Sequence, residues 1–110
     1  MNDTYKTCVA LASICGKACG YSIAVHGSGQ RDLDLVALPW VDNVGMTPQE
    51  LVSYIVQTIN LHYGEDVAHA TPGSPKSHGR LATIIWVNQL CVDLSVFPPV
   101  TEAKEATTGG

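Results

Sequence analysis

A chain of 110 residues has room for one domain, and with 45% of them apolar it can bury a core without disulfides. Six Lys and Arg against ten Asp and Glu leave a net charge of −4, which argues against nucleic acid as the main partner. No stretch approaches the ~20 apolar residues of a membrane span, and the first six residues lack the basic start and apolar run of a signal peptide. No membrane partner and a cytoplasmic location are therefore expected.

The first predicted element is a helix. Asp3 or Thr4 can cap it, it runs to about Ala18, and Gly20 is its stop. Gly16 weakens it late. Cys8, Cys15 and Cys19 fall on one stripe at i, i+7 and i+11, flanked by Leu11, Ala12 and Ala18. They read as reduced core residues. Structural zinc asks for paired, short-spaced ligands, so zinc is not expected. Residues 21 to 26 alternate and read as a strand. Gly27-Ser28-Gly29-Gln30 is turn chemistry. Residues 31 to 38 read as a second strand, stopped by Pro39 and Trp40, so the two strands form a hairpin.

Asp42 to Met46 reads as loop. Thr47-Pro48-Gln49-Glu50 is a helix start, with a capping threonine, proline at the first position and a glutamate closing the box. Leu51, Ile55, Ile59 and His62 share one face of that helix, and Gly64 ends it. Residues 65 to 79 form a polar loop, long for a small domain. Residues 80 to 87 and 90 to 97 are strands joined by a tight turn at Asn88-Gln89, and Cys91 is expected to be buried. Pro98-Pro99 stops the second. Residues 1–99 make the domain, and 100–110, small and polar, make a disordered tail. The expected fold is α+β in the order α-β-β-α-β-β: a single antiparallel sheet of about four strands with two helices on one face.

The chemistry concentrates between His26 and Asp34. Residues i and i+2 of a strand share a face, which sets Asp32 and Asp34 side by side. Carboxylates that close repel unless a cation sits between them or one is protonated. Magnesium suits such a pair. Asp93, flanked by Val92 and Leu94, joins them if the last strand neighbours the second. The amides of Gly27, Ser28 and Gly29 could cradle an anion, and Arg31 could hold a phosphate with its planar fork. His26 is an acid–base candidate, and with Asp32, Asp34 and Asp93 it makes up the catalytic candidates. His78-Gly79-Arg80 could bring an imidazole and a guanidinium to a phosphate. His26-x-Ser28 and His69-x-Thr71 also fit the paired motif of two-histidine phosphoesterases. The plain reading of the acids is a solvated edge strand whose charges discourage aggregation.

Gly27-Ser28, Asp32-Leu33-Asp34 and Asp93 resemble, in order, the motif of the polymerase-beta-type nucleotidyltransferase superfamily. The resemblance implies that Asp32, Asp34 and Asp93 hold magnesium, which bridges nucleotide phosphates. In that family a short helix and about ten residues separate the two motifs, and the helix N-terminus is part of the phosphate cradle. Here only Gly29, Gln30 and Arg31 intervene. More broadly, residues 20 to 98 look like small proteins of tailed phages and prophages, with His26-Gly27-Ser28, Arg31-Asp32-Leu33-Asp34, His78-Gly79-Arg80 and Asp93-Leu94-Ser95-Val96 carrying the likeness. That implies a bacterial host cytoplasm. Three functions are expected to compete. The first is a reduced nucleotidyltransferase-like site that binds a nucleotide or phosphorylated ligand, with or without catalysis. The second is a non-enzymatic inhibitor or modulator of a host protein. The third is a homodimer that seals Val36, Leu38 and Trp40.

Overall fold

The computed structural model describes residues 1–40 and 45–99. The expected tail, 100–110, and most of the loop expected before Met46 lie outside the described residues.

Helix α1 spans Asp3–Cys19. Its cap is Asn2, one residue earlier than expected: the Asn2 Oδ1 accepts the Tyr5 N–H at 2.7 Å. Gly20, left-handed at φ 88°, ends it as expected. Cys8, Ala12 and Cys15 are buried and Cys19 is half-buried, all as free thiols where cysteine. Gly16 has a packing role. A Cβ there would stand 2.9 Å from Ile23 Cγ1 and 3.1 Å from the Tyr21 carbonyl oxygen, so the glycine lets α1 lie directly on the first strand. Helix α2 spans Pro48–Tyr63, and both bonds of its capping box form. Leu51, Val52, Ile55 and Ile59 are buried. His62 is exposed rather than packed, because the last turn of α2 runs past the core: Leu61 and Tyr63 are exposed too.

The strands are β1 Tyr21–His26, β2 Leu33–Pro39, β3 Ala68–Ala70, β4 Ser74–Pro75, β5 Leu81–Val87 and β6 Leu90–Val96. They form one six-stranded sheet in the order β1-β2-β6-β5-β3, with β4 also on β5. The α+β class and the two hairpins, β1–β2 and β5–β6, are as expected. Two features differ. The segment after α2 contributes the short strands β3 and β4. The sheet is mixed, not antiparallel, because β2 and β6 run parallel. A parallel pair needs a long crossover, and here α2 and the β3–β5 segment supply it.

Alternation divides the sheet into two faces. Leu33, Leu35, Ala37, Ile85, Val92 and Leu94 point into a core shared with Tyr5, Cys8, Leu51, Ile55 and Ile59 from the helices. On the opposite face, Asp34, Val36, Ile84, Trp86 and Ser95 are half-buried, and Leu38 and Asp93 are exposed. Trp40, just past β2, is 61% exposed. At the β3 edge a helix side chain stands in for a missing strand. Asn60 Nδ2 donates to the Ala68 carbonyl at 3.0 Å, and Asn60 Oδ1 accepts the Ala68 N–H at 2.7 Å. Among the described residues, no helix is long and apolar enough to cross a membrane.

Candidate functional site

The turn between β1 and β2 rests on two left-handed glycines, Gly27 at φ 84° and Gly29 at φ 68°. The Ser28 hydroxyl accepts the Gln30 N–H at 3.4 Å, and the Met1 side chain packs on Gly29. Tyr5 pins the assembly from below. Its hydroxyl is 2.9 Å from the Arg31 carbonyl and 3.1 Å from the Cys91 carbonyl, so one O–H is shared between the turn and β6. No sequence signal marks Tyr5 for this, since both contacts are long-range.

β2 begins at Leu33, two residues later than expected. Asp34 therefore points from the strand onto the open face, while Asp32 is exposed in the turn and the strand argument for pairing the two does not apply. The parallel β2–β6 register supplies the partner instead: Asp34 lies opposite Asp93. His26 is opposite Asp34 on the other side, and Ile84 is opposite Asp93. The result is a cross-strand row, His26–Asp34–Asp93–Ile84. Cys91, expected to be buried, is half-buried two residues before Asp93. The period of the strand places it on the same face.

The crowding shows in the electrostatics. The Asp93 carboxyl is pushed above the usual carboxylate range, first by desolvation against the sheet and then by Asp34 and Asp32; Arg80 opposes this. The Cys91 thiol is pushed up by desolvation and then by Asp32, Asp93 and Asp34. Cys8 is pushed up to about 11 by burial. These thiols are thus poor nucleophiles at neutral pH. Among the described residues, neither the Asp34 nor the Asp93 side chain makes a hydrogen bond or ion pair, and no group of three or more His, Cys, Asp or Glu converges as a ready metal site. Asp34 and Asp93 form a pair, with Asp32 felt from the turn.

The remaining predicted residues divide between two places. Gly27, Ser28, Gly29 and Arg31 stand at the acidic end. Arg80 stands just before β5, its backbone four residues from Ile84, about 13 Å at the usual strand rise. Its Nη1 donates to Ser95 Oγ at 3.0 Å, and its guanidinium lies 5.8 Å from the Phe97 ring centre. His78, left-handed at φ 62°, joins Arg80 in lining an open pocket of about 270 Å³ together with Pro48, Pro75, Gly79 and Pro98. His69 is in β3, opposite Trp86. It is four strand spacings from His26, about 19 Å, so the two histidines cannot meet around one phosphate.

The row makes a stability prediction. Asp93 has a folded-state pKa above its unfolded value, so the folded chain holds the proton more tightly between those two values. Stability falls as pH rises through that window and stays lowered above it. At pH 7, Asp93→Asn should therefore raise the melting temperature, by a gain of about 0.5 kcal/mol after solvent screening. The gain should fade as pH falls towards 3.8, the ordinary carboxylate value. Equal melting temperatures at pH 7 would show that the two acids do not strain the sheet.

Comparison of the chain with protein-family models, with curated proteins and with solved structures finds no match.

Proposed function

We propose that the acidic end of the open sheet face binds a phosphorylated ligand, a nucleotide or another phosphate ester, through magnesium at Asp34 and Asp93. The observation that carries this reading is the register pairing of Asp34 with Asp93, with no ion pair to either among the described residues. Like charges opposed across strands weaken a sheet, and a divalent cation turns that repulsion into coordination. Magnesium takes one or two carboxylates and completes its shell with water and phosphate oxygens, so two adjacent acids suffice. Asp32 is close enough to add charge to the site. Gly27, Ser28, Gly29 and Arg31 provide the anion side, and His26 flanks the row. His78 and Arg80, whose guanidinium reaches Ser95 two residues from Asp93, suit a second group of the same ligand.

The resemblance to nucleotidyltransferases supports this reading through the placement of an acid on the strand beside Asp34. The short, glycine-bearing turn in place of the family's helix favours binding over phosphoryl transfer. The tailed-phage resemblance supports a role in a bacterial host cytoplasm. Calorimetric titration with ATP and magnesium tests the proposal. Binding is expected for the wild-type chain, lost on chelation, and weakened at least about tenfold in Asp34→Ala, the loss of one charge-assisted contact. Identical titrations for the two proteins would sink it.

A second reading is favoured by one observation, the exposure of Leu38, Trp40 and Phe97 on or beside the same face. There the face grips a host protein and modulates it without chemistry. Leu38→Ser with Trp40→Ser would then abolish stoichiometric capture of that protein from bacterial lysate while leaving ATP titrations unchanged.

A further inference from the structure

The two edges of the sheet are treated differently by this sequence. The β3 edge is three residues long, and the Asn60 side chain occupies the N–H and C=O of Ala68 on its outer side. The β1 edge is six residues long. Between Ser22 and His26 it has no Lys, Arg, Asp, Glu or Pro and no bulge in its register with β2. These are the devices by which natural edges resist pairing. Ser22, Ala24, Val25 and His26 are all exposed, and among the described residues no backbone group from Ser22 to His26 is bonded on the outer side.

We infer that β1 pairs with β1 of a second copy, antiparallel about a two-fold axis normal to the sheet at Ala24. This does not rest on the proposed ligand. A second copy, rather than an unrelated peptide, is indicated by the fit of the strand to itself. Residues opposed across an antiparallel pair share a face, so a symmetric pairing must centre on a residue. The Tyr21 end is closed: Tyr21 is buried, and its carbonyl oxygen lies against α1, 3.1 Å from where a Cβ on Gly16 would stand. The available stretch is therefore Ser22 to His26, whose centre is Ala24.

That register is complementary throughout. On the helix side, Ile23 of one copy meets Val25 of the other, a β-branched pair that covers a valine now 39% exposed. On the open side, Ala24 meets Ala24 and Ser22 of one copy meets His26 of the other, so no like charges oppose one another. The second copy thereby brings a hydroxyl beside the histidine of the acidic row. Both helix layers stay on the same side of a continuous twelve-stranded sheet, twice the six strands of one chain. Contact through one strand and the flank of α1 above it is small, so the dimer should dissociate on dilution.

Light scattering coupled to size exclusion, on the full chain across a dilution series, is the first test. The wild type is expected to move from twice the chain mass to the chain mass. Ala24→Lys, which sets two lysines face to face at an exposed position, should stay at chain mass while keeping the wild-type circular dichroism spectrum. Oxidation with diamide gives an independent test that does not weaken the edge. Ala24→Cys should form an inter-chain disulfide, because directly opposed strand residues are within disulfide reach. Ser22→Cys, about 14 Å from its symmetry mate in this register, should not exceed the wild-type background. A wild-type chain that is monomeric at every concentration overturns the inference. So does a dimer that survives Ala24→Lys, or crosslinking through Ser22→Cys as fast as through Ala24→Cys.

Discussion

Leu94→Ala is expected to cost about 3 kcal/mol of stability, within the usual range for a buried leucine truncated to alanine. Leu94 is wholly buried in β6, with Leu35 of β2 on one side and Thr83 of β5 on the other. Strands hold it on both sides, so the sheet cannot collapse around the lost methyl groups. For a domain of this size the melting temperature should fall by at least roughly 12 °C. Thermal or urea unfolding checks this, and a loss below about 1 kcal/mol would mean that Leu94 is outside the core. The comparison with its neighbour is sharper than either value alone. Asp93→Asn, one residue away and facing out, is expected to change stability in the opposite direction.

Asn60→Ala should cost about 2–3 kcal/mol, more than a half-buried polar residue on a helix usually does. It leaves both the N–H and the carbonyl of Ala68 without a partner at a position only 3% exposed. Asn60→Asp separates the two bonds. It keeps the acceptor for the N–H but sets a carboxylate against the Ala68 carbonyl, so it should be at least as damaging. Hydrogen exchange at the Ala68 amide gives the local readout. The amide should be protected in the wild type and exchange rapidly in Asn60→Ala even where the global fold persists. Retained protection in that variant would remove the role given to Asn60.

Features written within a few residues of one another were legible in the sequence. The capping box at Thr47 and Glu50 places the start of α2, and alternation identifies β1, β5 and β6. The turn signals at Gly27–Gln30 and Asn88-Gln89 give two hairpins. What the sequence does not show is how the hairpins meet. Parallel pairing of β2 with β6 depends on contacts some sixty residues apart in the chain, as the register of Asp34 with Asp93 illustrates. β3 and β4 are too short to carry a periodic pattern, and β3 exists because β5 pairs with one of its edges and Asn60 with the other. At the site, the adjacency of Asp93 was foreseeable as a condition on strand order. The strand periodicity used to set Asp32 beside Asp34 does not apply, because β2 starts after Asp32. Tyr5 and Cys91 enter the site through the fold alone.

The shared hydroxyl of Tyr5 has a consequence for how the site comes into being. It joins partners 26 and 86 residues away along the chain. Contacts of that span form only after the intervening loops have closed. The glycine turn and the start of β6 can each be built early within their own hairpins, but their mutual placement waits for the first turn of α1. The placement of the glycine turn against β6 thus depends on the first turn of α1, and because Tyr5 is also a core residue, an opening of that turn loosens the acidic end and the core together.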